Sequence, residues 1–323
     1  MKRTPHNNGF TIVELLTVMA VIALLIGLLV PALSMVKDRA KDIQQRAQFH
    51  AISSGLEMFK ADFGDYPESN DNSINSASSP QKIGDNRTYC GANKLAEAMV
   101  GLDYLGFHPS SDFRLDGANT IINKLGQQIV NQAVYHANLD VANWETAEEN
   151  IQARKGPYVD LENANAFRMD EVYTTIGAPF VVGWDNKYPL VMCDVYSKKR
   201  GGTGGKKTGT PILYFKARTN NSRQDSVTSQ NMADPNSTLE RSIYYYYDNN
   251  SILSLGLPDT GVAHEILRVP ADTLLNFDNL IINKNVQMVP RPYRANSYIL
   301  WSAGKDGSFG TGDDVFNFTK EAE

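Results

Sequence analysis

The stretch that decides the fold is Gly9-Phe10-Thr11-Ile12-Val13-Glu14-Leu15-Leu16-Thr17-Val18-Met19-Ala20-Val21-Ile22, which runs on almost wholly apolar to Leu33. Val18 to Leu33 holds no charged or strongly polar residue. At about 1.5 Å rise per residue, a helix over Phe10–Leu33 spans the hydrocarbon core of a bilayer. Ahead of it lies a polar segment with Lys2 and Arg3 and no acid. Positive charge before the run predicts a cytoplasmic N-terminus, with everything after the run on the outer side.

Two ordinary explanations compete. A secretory signal peptide shares the basic start and apolar centre, but it needs a small-x-small cleavage site at the end of the run. Here Pro31 and a basic, helix-periodic continuation follow instead. A plain single-pass anchor leaves Glu14 unexplained, because an unpaired carboxylate in an apolar segment costs several kcal/mol, on the order of 3.

Working outward, Pro31 predicts a kink. Ala32–Phe63 then reads as a continued amphipathic helix, with Ile43, Ala47, Ile52, Leu56 and Phe59 at three- and four-residue steps. Lys37, Arg39, Lys41 and Arg46 make its first turns basic, as suits a solvated helix face leaving a membrane. Gly64 and Pro67 end the helix. Asn70–Pro80 and Asn220–Ser237 read as polar loops. Lys94–Leu105, Ile121–Ala137 and Trp144–Arg154 have helical spacing. Phe180–Trp184, Tyr188–Tyr196, Pro211–Ala217, Tyr244–Tyr247 and Tyr298–Ser302 read as strands, being rich in aromatic and β-branched residues. The class is α+β.

Bulk properties exclude several functions. A net charge of −5 argues against nucleic-acid binding, which needs a basic surface. The two cysteines, Cys90 and Cys193, fit either one disulfide or two buried thiols. The five histidines form no metal-spaced pair. No Gly-x-Ser-x-Gly elbow occurs, and nothing local supplies Cys90 with a base. The glycine-rich Arg200–Thr208 segment fails the register of a phosphate-binding loop and reads as a hairpin connection. The chain is therefore read as not an enzyme.

A second constellation lies at Ser302-Ala303-Gly304-Lys305-Asp306-Gly307-Ser308-Phe309-Gly310-Thr311-Gly312-Asp313-Asp314-Val315, where carboxylates alternate with glycines. Calcium takes six to eight oxygens in a flexible cage, about what such a loop offers, although the spacing is not that of an EF-hand.

The start of the apolar run resembles the cleavage and methylation signal of type IV prepilins and type II secretion pseudopilins: glycine, an aromatic, three residues, glutamate, then an aliphatic run. The Gly64-Asp65-Tyr66-Pro67 turn and the C-terminal acidic loop are similar to those of G-type major pseudopilins. The resemblance covers about the first 70 and last 30 residues. It implies a pilin-like fold: a long N-terminal helix, half transmembrane, packed on a small antiparallel sheet, with an enlarged helical insertion. The implied boundaries are a leader at 1–9, a transmembrane and assembly helix at 10–33, the helix's outer half at 34–67, the insertion at 68–170 and a β-rich region at 171–323. A prepilin peptidase would cut between Gly9 and Phe10 and methylate the Phe10 amine. Glu14 would meet the amine of a neighbouring subunit. Ca2+ would be held by Asp306, Asp313 and Asp314 with backbone oxygens of Ala303 and Val315, although Phe309 and Thr311 depart from the usual loop. The implied partners are further copies, other pilin-like subunits and an inner-membrane assembly platform, with the globular part periplasmic or in an extracytoplasmic filament. The leading expectation is a secretion pseudopilus subunit. Its alternatives are a type IV pilus subunit for adhesion or DNA uptake, and a membrane-anchored surface-binding module.

Overall fold

The computed structural model describes residues 11–70, 89–113, 118–122, 128–135, 147–174, 189–196, 198–199, 205–224, 242–268, 273–286 and 288–320. The chain divides into two units, Met1–Gln44 and Gln45–Glu323.

The first unit carries most of helix α1, which runs unbroken over Ile12–Phe63 with Pro31 inside it. Residues 11–37 are all exposed. Ile12, Leu16, Leu24 and Leu28 are each more than 60% exposed, which is no place for such side chains in water. The helix is long and apolar enough to cross a membrane, with a mean hydropathy of 2.8 over its best window.

The second unit is an α+β body around a three-stranded antiparallel sheet. Strands β1 (Ala118–Ile122) and β2 (Gln128–Ala133), β3 (Ala166–Arg168) and β4 (Leu190–Met192), and β5 (Lys198–Lys199) and β6 (Lys207–Thr208) form three separate hairpin-like pairs. Strands β7 (Leu213–Lys216), β8 (Tyr298–Ser302) and β9 (Val315–Phe316) form the sheet, with Tyr214 opposite Leu300 and Trp301 opposite Phe316. All five residues of β8 are buried, so the sheet is covered on both faces. Alternation sorts them: Ile299 and Trp301 join one apolar cluster, Tyr298 and Leu300 the other. The second cluster receives Phe49, Ile52, Leu56 and Phe59 of α1. Gln48 donates to the Cys193 carbonyl at 2.8 Å and Gln45 accepts from the Val195 N–H at 3.0 Å, fixing the helix to the chain beyond β4.

Helix α2 (Gly91–Val100) is buried at every position, and it touches both β4 and β7. Gly91 permits this, since a Cβ there would lie 2.3 Å from the Tyr214 carbonyl oxygen. Asn249 pins the helix start, accepting from the Ala92 N–H at 2.8 Å and donating to the Tyr214 carbonyl at 2.7 Å. Glu97 accepts from the hydroxyls of Tyr89 at 2.6 Å, Tyr135 at 2.8 Å and Ser111. Burial raises its pKa, and these donors only partly oppose the rise.

Several expectations are corrected. Ile121–Ala137 is not helical: its described part falls on the β1–β2 hairpin, where Ile121, Ile122, Ile129 and Val130 suit strands. Tyr244–Tyr247 is no strand, since Tyr246–Asn249 is a 3-10 helix. The Tyr244 backbone pairs instead with the side-chain amide of Gln224, at 2.9 and 3.0 Å. The buried stripe of α1 begins at Gln45 and takes Phe49, while Ile43 is exposed. Of the two readings left open for Cys90 and Cys193, the structure has the two buried thiols. By contrast, α1 ends at Phe63 with Gly64 in the left-handed region at φ 85°, its N–H bonded to the Lys60 carbonyl, as read from the sequence. The β5–β6 pairing flanks the glycine-rich segment as a hairpin should. Phe180–Trp184 lies outside the described residues.

Candidate functional site

The first candidate is the start of α1. Gly9 and Phe10 lie outside the described residues. Thr11 and Glu14 are described, and they form a reciprocal cap. The Thr11 N–H and hydroxyl donate to Glu14 Oε2 at 2.9 and 2.8 Å, while the Glu14 N–H donates to Thr11 Oγ1 at 3.2 Å. This is a capping box, Thr-x-x-Glu, which satisfies N–H groups that the helix itself cannot. The spacing was legible in Thr11-Ile12-Val13-Glu14. Reading Glu14 only as an isolated carboxylate missed that Thr11 partners it within the chain.

The second candidate is the loop after β8. Ser302 donates to Asp194 Oδ2 at 3.0 Å and accepts from the Gly304 N–H at 3.2 Å. Gly304 sits at φ 63°, and a Cβ there would come within 2.2 Å of the Asp313 carbonyl oxygen, so the two ends of the loop touch. Asp313 accepts from the Asp306 N–H at 2.9 Å and the Thr311 hydroxyl at 2.6 Å. Burial pushes its carboxyl up, but these donors outweigh that and hold it below the ordinary value. Asp306 accepts from the Ser308 N–H at 2.7 Å. Phe309 plugs the loop into the core: it is fully buried, 5.2 Å from the Trp301 ring, with its N–H on His264 Nδ1 at 3.3 Å and its carbonyl on the Ile266 N–H at 2.9 Å. The departure at Phe309 thus has a purpose in packing.

The donor set tests unevenly against a bound cation. Carboxylates and carbonyls are the right chemistry for a hard ion. Yet Asp306 and Asp313 are turned to the loop's own N–H and hydroxyl groups. Among the described residues no three His, Cys, Asp or Glu side chains gather as a metal cluster. Asp314 is the exception. It accepts from the Gly310 N–H at 2.9 Å through Oδ2 and takes a further hydrogen bond from the Trp301 indole, yet burial outweighs both and pushes its pKa up to about 7. A cation beside it would offset the cost of burying that charge.

Comparison with known proteins bears on the first candidate. Residues 4–30 match the family model described as the prokaryotic N-terminal methylation motif. The chain is also similar to the type II secretion system core protein G of Escherichia coli (strain K12), at 33% identity over 70 residues. That match covers 22% of this chain and spans about half, 48%, of the relative. No solved structure matches. The matched motif, the relative and the apolar helix together support a pseudopilin- or type IV pilin-like protein.

Proposed function

We propose that the chain is a structural subunit of a type II secretion-like pseudopilus, built by packing the first half of α1 against the same helix of other copies and of other pilin-like subunits. The observation that carries this reading is the wholly exposed helix over residues 11–37, starting within the methylation motif and with Glu14 as the one charged residue before Lys37. Such a surface needs a bilayer before assembly and neighbouring helices after it. A prepilin peptidase cuts between Gly9 and Phe10 and methylates the new amine, and Glu14 then meets the amine of a neighbour. A buried carboxylate becomes tolerable when it gains a cation. The inner membrane holds the chain with its N-terminus in the cytoplasm, and an assembly platform extracts it.

Mass spectrometry of the protein from its native membrane tests the processing. The expected N-terminus is N-methylated Phe10, and an intact Met1 refutes the assignment. Calcium is a separate proposal, resting on the resemblance and on the oxygen donors the loop gathers, where Asp313 meets both Gly304 and the Asp306 N–H. Asp314 would anchor it, with Asp306, Asp313 and the Ala303 and Val315 carbonyls completing the shell. Melting with calcium and with chelator should differ in the wild type and coincide in Asp314→Ala; coincidence in the wild type removes calcium from the account and leaves the subunit reading intact.

A further inference from the structure

A cavity of about 180 Å³ lies in the second unit, and neither the methylation motif nor the acidic loop uses it. One wall is a single face of α1, carrying Arg46, Phe49 and His50 at helical i, i+3, i+4 spacing. The other wall is Arg294 with Phe316 and Phe318. No acidic residue lines it, although the chain as a whole is at −5. Lys320 adds a further cation beside it, 4.4 Å from the centre of the Phe316 ring. Of the acids along that face of α1, Asp42 stands one turn before Arg46, and Glu57 is taken by the Tyr66 hydroxyl at 2.8 Å.

Arg294 is held here by the fold. Its φ of 56° lies in the left-handed region, which a non-glycine residue keeps only where its surroundings hold it. Its carbonyl is fixed by the Tyr244 hydroxyl at 2.5 Å and the Ser297 N–H at 2.9 Å. One guanidinium nitrogen donates to the Asn317 carbonyl at 3.1 Å, leaving donors of the fork over. A guanidinium matches planar, two-oxygen anions.

Size and walls narrow the ligand. Drug-sized sites begin near roughly 300 Å³, so this one suits a single small group. Phe49 and Phe316 are buried aromatic surface, which favours a flat apolar body and gives nothing to a fully hydrated oxyanion. We propose that this cavity binds a carboxylate borne on a small apolar body, with Arg46 and Arg294 taking the anion and the phenyl rings the body.

Benzoate is a suitable probe, titrated by calorimetry into the full-length chain in detergent. The expected result is saturable binding, weakened at least about tenfold by Arg46→Gln and by Arg294→Gln, as loss of a charged hydrogen bond demands. Arg268→Gln, which removes an exposed cation outside this lining, should leave it unchanged. Arg46 is exposed on a helix, so its variant stays informative even if the left-handed Arg294 position tolerates change poorly. No saturable binding by the wild type, or equal binding by Arg46→Gln, overturns the proposal. Inorganic phosphate competing as well as benzoate overturns the role of the rings. The source of the carboxylate is read separately, with a photoreactive residue at Ser53, which also lines the cavity, in native membranes. A protein adduct assigns the carboxylate to a side chain of a neighbouring protein; benzoate binding without any adduct assigns it to a free organic acid.

Discussion

Two helices of this chain reverse each other's rules. The first turns of α1 are apolar and wholly exposed, whereas α2 is wholly buried and carries Asn93, Lys94 and Glu97. Each arrangement would be costly in the other's surroundings. Exposed leucines are stable only if the solvent is hydrocarbon or another helix. Buried polar groups are stable only if partners replace water. Those partners are present: three hydroxyls on Glu97, Asn70 on the Lys94 ammonium at 2.6 Å, and the Leu190 carbonyl on Asn93 at 3.0 Å. The contrast teaches that polarity alone does not place a helix. What surrounds it does.

The comparison can be broken from either side. Glu97→Ala should have the largest effect, destabilising by about 4 kcal/mol, because it strands buried hydroxyls and opens a cavity at once. Glu97→Gln keeps an acceptor and should cost about 1 kcal/mol. Denaturant unfolding of the full chain measures both, and equal costs would mean that the hydroxyls find other partners. Leu24→Lys should come next, disfavouring membrane insertion by about 3 kcal/mol. Its readout is the fraction of chain that resists alkaline extraction from membranes. An unchanged fraction would show that the exposed face of α1 does not meet lipid.

Much of this contrast was legible in the sequence, but unevenly. The apolar run, the Gly64 stop and the strands at Leu213–Lys216 and Tyr298–Ser302 follow from local pattern, because one face or one turn decides them. Helix α2 was visible as a helix, though read at Lys94–Leu105 where it runs Gly91–Val100, and its complete burial was not. That depends on Gly91 abutting Tyr214 and on Asn249, far along the chain, capping its start. The Tyr244 run misled for the same reason, since its partner is the side chain of Gln224, which no strand pattern encodes. At the acidic loop the composition was readable, while the burial of Phe309 beside His264, and hence the direction the carboxylates face, was not.

His264 sharpens the contrast through pH. Burial lowers its pKa from 6.5 to about 4, with the Gly256 backbone opposing only in part. Between those values the unfolded chain binds a proton that the folded chain refuses, so stability is lost as pH falls from about 6.5 towards 4. The loss is on the order of 2–3 kcal/mol. Glu97 acts in the opposite sense: its raised pKa costs stability as pH rises through its folded value. Comparing the wild type with His264→Gln, which retains an acceptor for the Phe309 N–H, isolates the histidine. If their stability difference is flat from pH 4 to 6.5, His264 is not neutral and buried as described.

The smallest effect tests the most consequential residue. Glu14 is engaged twice in this account, by Thr11 in its own chain and by the amine of a neighbour in the assembly. Thr11→Ala removes the reciprocal cap and should cost about 1 kcal/mol at the first turn of α1, seen as faster amide exchange there. Glu14→Gln separates the two roles, because a glutamine at this position still closes a capping box while carrying no charge. The expected outcome is near-normal exchange at the first turn together with loss of assembled subunit. If Glu14→Gln assembles normally and Thr11→Ala does not, the cap is what assembly requires, and the glutamate is present to start a helix.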